Sequence, residues 1–98
     1  MTETTTTARD VDRLVAYLAR AAAFYANARA KARPADGPAL RILRDALETV
    51  AEVGDLDAAR EKAARAAVDA GRDANPSLNL TAHYLGMAAE AARELRDA

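Results

Sequence analysis

From residue 8 onward, apolar residues recur at spacings of three and four, the period of one helix face, and no stretch shows the alternation of a strand. Four helices follow from this pattern. The first, at about 8–32, carries Val11, Leu14, Leu18, Ala21, Tyr25, Ala28 and Ala32 as a sustained heptad stripe. Residues 1–7 are polar and threonine-rich, have nothing to bury, and are expected to form a mobile tail. Thr7 is placed to cap the first helix, with Asp10 three residues on in the manner of a capping box. The segment "RPADGP" (33–38) ends that helix: Pro34 blocks continuation and Gly37 permits a turn. Pro38 suits the first turn of the next helix, where its missing N–H costs nothing.

The second helix, about 38–53, shows Leu40, Leu43, Leu47 and Val50 on one face, widened by Ile42 and Val53. In "VGDLD" (53–57), Gly54 suits a left-handed C-cap and Asp55 the following N-cap, so two helices meet in a tight hairpin. The third helix, about 56–70, carries Leu56, Ala59, Ala63, Ala66 and Ala70 inward and stops at Gly71. "NP" at 75–76 supplies an N-cap and a first-turn proline for the fourth, about 76–97. Its inward set is Leu78, Leu80, Tyr84, Leu85, Ala88, Ala91, Ala92 and Leu95. Pairs four apart on the outer faces, Arg41–Asp45, Arg44–Glu48, Glu61–Arg65 and Arg93–Asp97, agree with helix throughout. The fold expected is all-α: a small, alanine-rich antiparallel four-helix bundle or a pair of helical hairpins, with residues 8–98 forming one helical domain.

Composition changes this picture in one respect. Alanine supplies 28 of the 98 residues, whereas Leu, Ile, Val and Phe together supply only 17. A net charge of -1 argues against disorder, and alanine has the highest helix propensity. The core is therefore helical but thin, because alanine contacts bury little apolar area, and part of the apolar surface is expected to be covered by another chain. With no cysteine there is no disulfide, thiol nucleophile or cysteine metal site. No apolar run approaches the roughly 18 residues a membrane span needs, and "MTETTTTARD" lacks the basic-then-apolar order of a signal peptide. A cytoplasmic protein is the expectation.

Charge is distributed unevenly. "RLVAYLARAAAFYANARAKAR" (13–33) holds five basic residues, three aromatics and no acid. At 100° per residue, Arg13, Tyr17, Arg20, Phe24, Asn27 and Lys31 share a face about 100° to 180° from the heptad stripe. Guanidinium and ammonium groups interleaved with flat rings suit an anionic or stacking partner. The same pattern arises when aromatics flank a wide buried stripe and basic side chains snorkel past it. Residues 8–33 contain six basic and two acidic side chains, residues 34–98 eight basic and twelve acidic. The first helix is thus complementary to the rest and is expected to dock on the acidic surface of the second and third helices, within one chain or between two.

Two segments carry local likenesses. "GDLDAAREKAARA" (54–66) resembles the hairpin turn of a tetratricopeptide repeat, with Gly54, Ala59 and Ala66 at matching offsets. The repeat's early large aromatic and the small residue near position 47 are missing, and a single copy falls short of the roughly three that repeat folds need. The likeness is one of hairpin physics. "LTAHYLGMAAEAARELR" (80–96) resembles a helix-turn-helix, with Ala82, Gly86 and Met87 at suitable positions. A recognition helix must neutralise phosphates, yet residues 88–98 set Arg93 and Arg96 against Glu90, Glu94 and Asp97. Nucleic acid is therefore not the expected partner, and Gly86 reads as a close-packing point in one continuous helix.

Catalytic constellations are missing from the pattern. His83 has no Glu three residues before it, Ser77 lies on the same helix as His83 in poor geometry for a nucleophile and base, and no phosphate loop or dinucleotide fingerprint occurs. Neither enzyme activity, cofactor nor metal is expected. The expected function is an interaction or scaffold protein that self-associates or docks another protein through helix 1. The alternative is a binder of an anionic small molecule or nucleic acid through Arg13, Tyr17, Arg20, Phe24 and Lys31.

Overall fold

Four α-helices and one short 3-10 turn make up the computed structural model, which describes residues 2–71 and 75–97, with side chains from residue 11 onward. Helix α1 spans Thr2–Ala30, α2 Gly37–Ala51, α3 Leu56–Ala70 and α4 Pro76–Asp97, with the 3-10 turn at Pro34–Asp36. No strand occurs among the described residues. The bounds of α3 and α4 agree with the sequence pattern, whereas α1 starts earlier than expected. Helical backbone covers the threonine run, so Thr7 lies inside the helix instead of capping it. The run contains no glycine or proline, and each threonine costs a helix only a few tenths of a kcal/mol against alanine. The expected capping pair of Thr7 and Asp10 lies among side chains outside the described set.

Helix ends show which local rules act. The Asp55 carboxylate accepts a hydrogen bond from the Ala58 N–H at 3.1 Å, capping α3 as expected. Gly71 ends α3 with φ 89°, a conformation that L side chains rarely adopt. The end of α2 departs from expectation. The left-handed residue is Val53 (φ 52°), not Gly54. Gly54 N–H bonds the Thr49 carbonyl at 2.9 Å and Val53 N–H the Val50 carbonyl at 3.1 Å. This is the double closure of a Schellman motif, which places Val53 at the left-handed position. One residue later, a Cβ on Gly54 would meet Thr49 Cγ2 at 3.2 Å, so glycine there spares the Thr49 side chain a shift of a few tenths of an ångström.

The core is a single cluster drawn from all four helices. Its largest fully buried apolar side chains are Leu43, Leu56, Leu78, Leu85 and Val50, and alanines fill much of the remainder. Helix α1 packs chiefly on α4, α2 on α3, and α3 on α4, with lesser contacts from α2 to α4 and from α1 to α2. The expected docking of helix 1 on the second and third helices is therefore corrected within the chain: its main neighbour is the fourth. Acids of α3 are engaged elsewhere, Asp57 with Arg93 at 3.3 Å and Glu61 with Arg65 at 3.2 Å. The body measures 50 × 21 × 19 Å with a Cα radius of gyration of 13.8 Å. Its long dimension follows α1, whose 29 residues span about 43 Å at 1.5 Å each.

The α1 stripe is also rotated from its expected position. Ala21 and Ala28 are fully buried; Leu14, Leu18 and Tyr25 on one side, and Tyr17 and Phe24 on the other, are half-buried. Val11 and Ala32 are exposed. Two stripes that looked separate are thus the two flanks of one core-facing side of α1. Ile42 of α2 and Val53 just past its end lie in solvent more than expected, at 39% and 41% exposure, as does Leu80 of α4 at 39%. Gly86 sits mid-helix in α4, but it is not a close-packing point: an added Cβ would approach Arg60 no nearer than 4.0 Å.

A seam between the first and last helices

Five contacts run down the α1–α4 seam, and they pair rising numbers on α1 with falling numbers on α4. Arg13 Nη1 meets Glu94 Oε2 at 3.4 Å. About two turns further on, Arg20 Nη1 donates to the Tyr84 hydroxyl at 3.3 Å, and its guanidinium carbon lies 5.5 Å from the Tyr84 ring centroid. Phe24 stacks on Tyr84 with centroids 5.5 Å apart and planes within 7°. Asn27 Nδ2 donates to Ser77 Oγ at 2.6 Å, and Asn75 Nδ2 donates to the Ala28 carbonyl at 2.8 Å.

Tyr84 is the centre of this arrangement. Phe24 lies against its ring, Arg20 holds its hydroxyl, and His83 meets it edge-on at 5.1 Å. An offset aromatic pair of this kind contributes about 0.5–1.5 kcal/mol beyond area burial, and an exposed guanidinium–ring contact about 0.5–1 kcal/mol. The exposed Arg13–Glu94 pair adds little, because water screens it. The seam is therefore held by rings and hydrogen bonds more than by charge.

At its lower end the seam becomes a polar latch. The α1 carbonyl of Ala28 lies in the last turn, where no intrahelical donor remains. Asn75 satisfies it with Nδ2, while Asn75 Oδ1 accepts from the Ser77 N–H at 3.1 Å and so caps α4. One buried side chain thus closes the C-terminus of one helix and the N-terminus of another. Ser77 and Thr81 continue the track, the Thr81 hydroxyl donating to the Ser77 carbonyl at 2.6 Å. No buried side-chain nitrogen or oxygen among the described residues lacks a partner.

A buried charge lies in the α1–α2 connection. The Asp36 carboxylate is almost wholly buried and accepts from the Arg33 backbone N–H at 3.0 Å and from its guanidinium at 3.3 Å and 3.0 Å. The Arg33 hydrogen bonds hold the Asp36 carboxyl below its ordinary value.

Of the five residues read from the sequence as a partner or anion site, Arg13, Arg20 and Phe24 meet α4 on this seam, Tyr17 packs half-buried against the core, and Lys31 stands exposed just beyond the last residue of α1. The sequence pattern placed Tyr84 inward and Asn75 at the α4 cap but did not bring out what either does toward α1, because alanines on every side of α4 hide which face meets α1. The outer side of α1 was missed for the same reason. There Val15 is 60% exposed, and Ala16, Ala19, Ala22, Ala23 and Ala26 are exposed around it. No helix among the described residues is long and apolar enough to cross a membrane. Compared with protein-family models, curated proteins and solved structures, the chain matches none.

Proposed function

We propose that this chain is a small interaction or scaffold protein, folded as an antiparallel four-helix bundle, that associates through α1 with a second copy or another protein. The observation that carries the reading is the outward face of α1. Val11, Val15, Ala19, Ala22 and Ala26 follow one another at spacings of four, four, three and four, and all are exposed. That is a helix-packing stripe with nothing packed on it. Small side chains there let a second helix approach closely, and Val11 and Val15 supply the largest apolar groups, Val15 the more exposed of the two.

Charge favours a second copy. Asp12 lies near the start of this stripe and Arg29 just past its end, both exposed. A two-fold axis midway between Ala19 and Ala22 sets Val15 beside the second copy's Ala26 and Asp12 beside its Arg29. Such an isologous pairing satisfies both ends at once. The other reading, an anion binder through Arg13, Tyr17, Arg20, Phe24 and Lys31, has less support, because Arg20, Phe24 and Tyr84 are engaged with one another along the seam.

The test is molar mass in solution by light scattering, for the wild type and for a Val15→Asp, Ala22→Asp double variant. Both positions are exposed, so the fold is expected to persist, as circular dichroism will show. The reading expects the double variant to lose the association that runs through α1, so that its molar mass falls below that of the wild type at equal concentration. Equal mass for both chains at all concentrations would count against α1.

A further inference from the structure

Helices α2 and α3 leave an open groove of about 490 Å³ on the side turned away from α4. Its floor is small and apolar, formed by Ala46, Ala59 and Ala66. Ile42, 39% exposed, stands on its rim as the one large apolar side chain lining it. Asp45 and Lys62 line opposite walls. We propose that a second copy of this chain seats its own α2–α3 groove on this one, about a two-fold axis parallel to the helices. The inference concerns a surface separate from α1 and does not rest on the α1 reading.

Residues 52–55 double the chain back from the end of α2 at Ala51 to the start of α3 at Leu56. Asp45 is six residues before that end, and Lys62 is six residues after that start, so the two stand at one height. A two-fold axis along the groove lays α2 of one copy over α3 of the other at unchanged height. Each Asp45 then faces the second copy's Lys62, twice over. Thr49 falls opposite the second copy's Ala58 by the same rule, and Ile42 opposite the stem of its Arg65, next to the hollow floored by Ala66. The groove thus presents a knob and a matching hole, with acid opposite base. Lys62 makes no ion pair among the described residues, and Asp45 has only its sequence neighbour Arg44 at 3.6 Å. A chain with this surface and the α1 face is bivalent, as a scaffold requires.

The test uses Asp45→Lys and Lys62→Asp as two separate chains, each also carrying Val15→Asp and Ala22→Asp so that the α1 face is silent. Alone, each places like charges opposite one another in a two-fold pair, and self-association is expected to fall by roughly tenfold or more. Mixed in equal amounts, the two chains put lysine opposite aspartate at both contacts. The inference expects a mixed dimer by light scattering at low salt, weakened when salt screens the pairs. Both residues are exposed, and circular dichroism checks that each chain folds. A parent chain, with only the two α1 changes, that stays monomeric at high concentration overturns the inference. So does a mixture that behaves as the sum of its parts. Ile42→Glu in the parent chain is expected to abolish the dimer, and a dimer that survives it also overturns the inference.

Discussion

Replacing Asn75 by alanine removes one buried side chain that serves two helix ends. Asn75 is only 9% exposed and Ala28 is fully buried, so water does not readily replace the lost partner. Loss of the α4 cap costs about 1 kcal/mol. Leaving the Ala28 carbonyl without its 2.8 Å donor costs a further 1–3 kcal/mol or so. The expected destabilisation is therefore about 2–4 kcal/mol, a large part of the roughly 5–15 kcal/mol available to a native domain. For a domain of this size it lowers the melting midpoint by roughly 10–25 °C. Asn75→Ser separates the two contributions: its hydroxyl still caps α4 but does not reach Ala28, so its loss is expected to fall between wild type and Asn75→Ala. The assay is urea unfolding followed by helical ellipticity, with a constant denaturant slope showing that stability alone has changed. Asn75→Ala within 0.5 kcal/mol or so of wild type would refute the latch, because caps and buried carbonyls elsewhere cost more than that when stripped.

Three further outcomes follow from particular residues. Val53→Gly relieves a left-handed φ of 52°, and since that conformation costs an L residue roughly 1–2 kcal/mol, the variant is expected to gain about 1 kcal/mol; a lower unfolding midpoint contradicts this. Gly86→Ala places a better helix former where the nearest atoms stay 4.0 Å away, so a gain of up to about 1 kcal/mol is expected by the same assay, and a loss would show a hidden clash. For Asp36, the folded carboxyl is held below its ordinary value of 3.8 by Arg33, so its contribution is present above that pH and fades as pH falls through the lower folded value. Asp36→Asn is expected to be less stable than wild type at neutral pH, with the two chains converging in acid. A difference that stays constant from neutral pH into strong acid rules the pairing out.

How much was legible depends on how loudly each residue speaks. Asp55, Gly71, Asn75 and Pro76 are strong punctuation, and α3 and α4 begin and end where they direct. The leucines of α2 and α4 also mark their buried sides, with Leu43, Leu78 and Leu85 all fully buried. Alanine carries no such signal. It lies on every side of α1, so the heptad was drawn through the larger residues, while the line that is fully buried runs through Ala21 and Ala28. That rotation hid two things: that Arg13, Arg20 and Phe24 meet α4, and that Val11 and Val15 face solvent. The α2 end failed differently. Glycine at 54 suggested a left-handed cap, but hydrogen bonding sets that conformation one residue earlier, on a valine. Burial of Asp36 was invisible because its guanidinium partner is brought to it by the fold of a proline-bounded turn.

The central claim, that the outer face of α1 is an association surface, is tested most directly at Ala19. The chain has no cysteine, so Ala19→Cys places a single thiol in the middle of the exposed stripe. Its rate of modification by a soluble reagent is measured across a range of protein concentrations, with a thiol at exposed Glu48 of α2 in a second chain as reference. The account predicts that modification at 19 slows as concentration rises while the reference rate stays constant. A rate at 19 that is the same at every concentration would contradict self-association through α1.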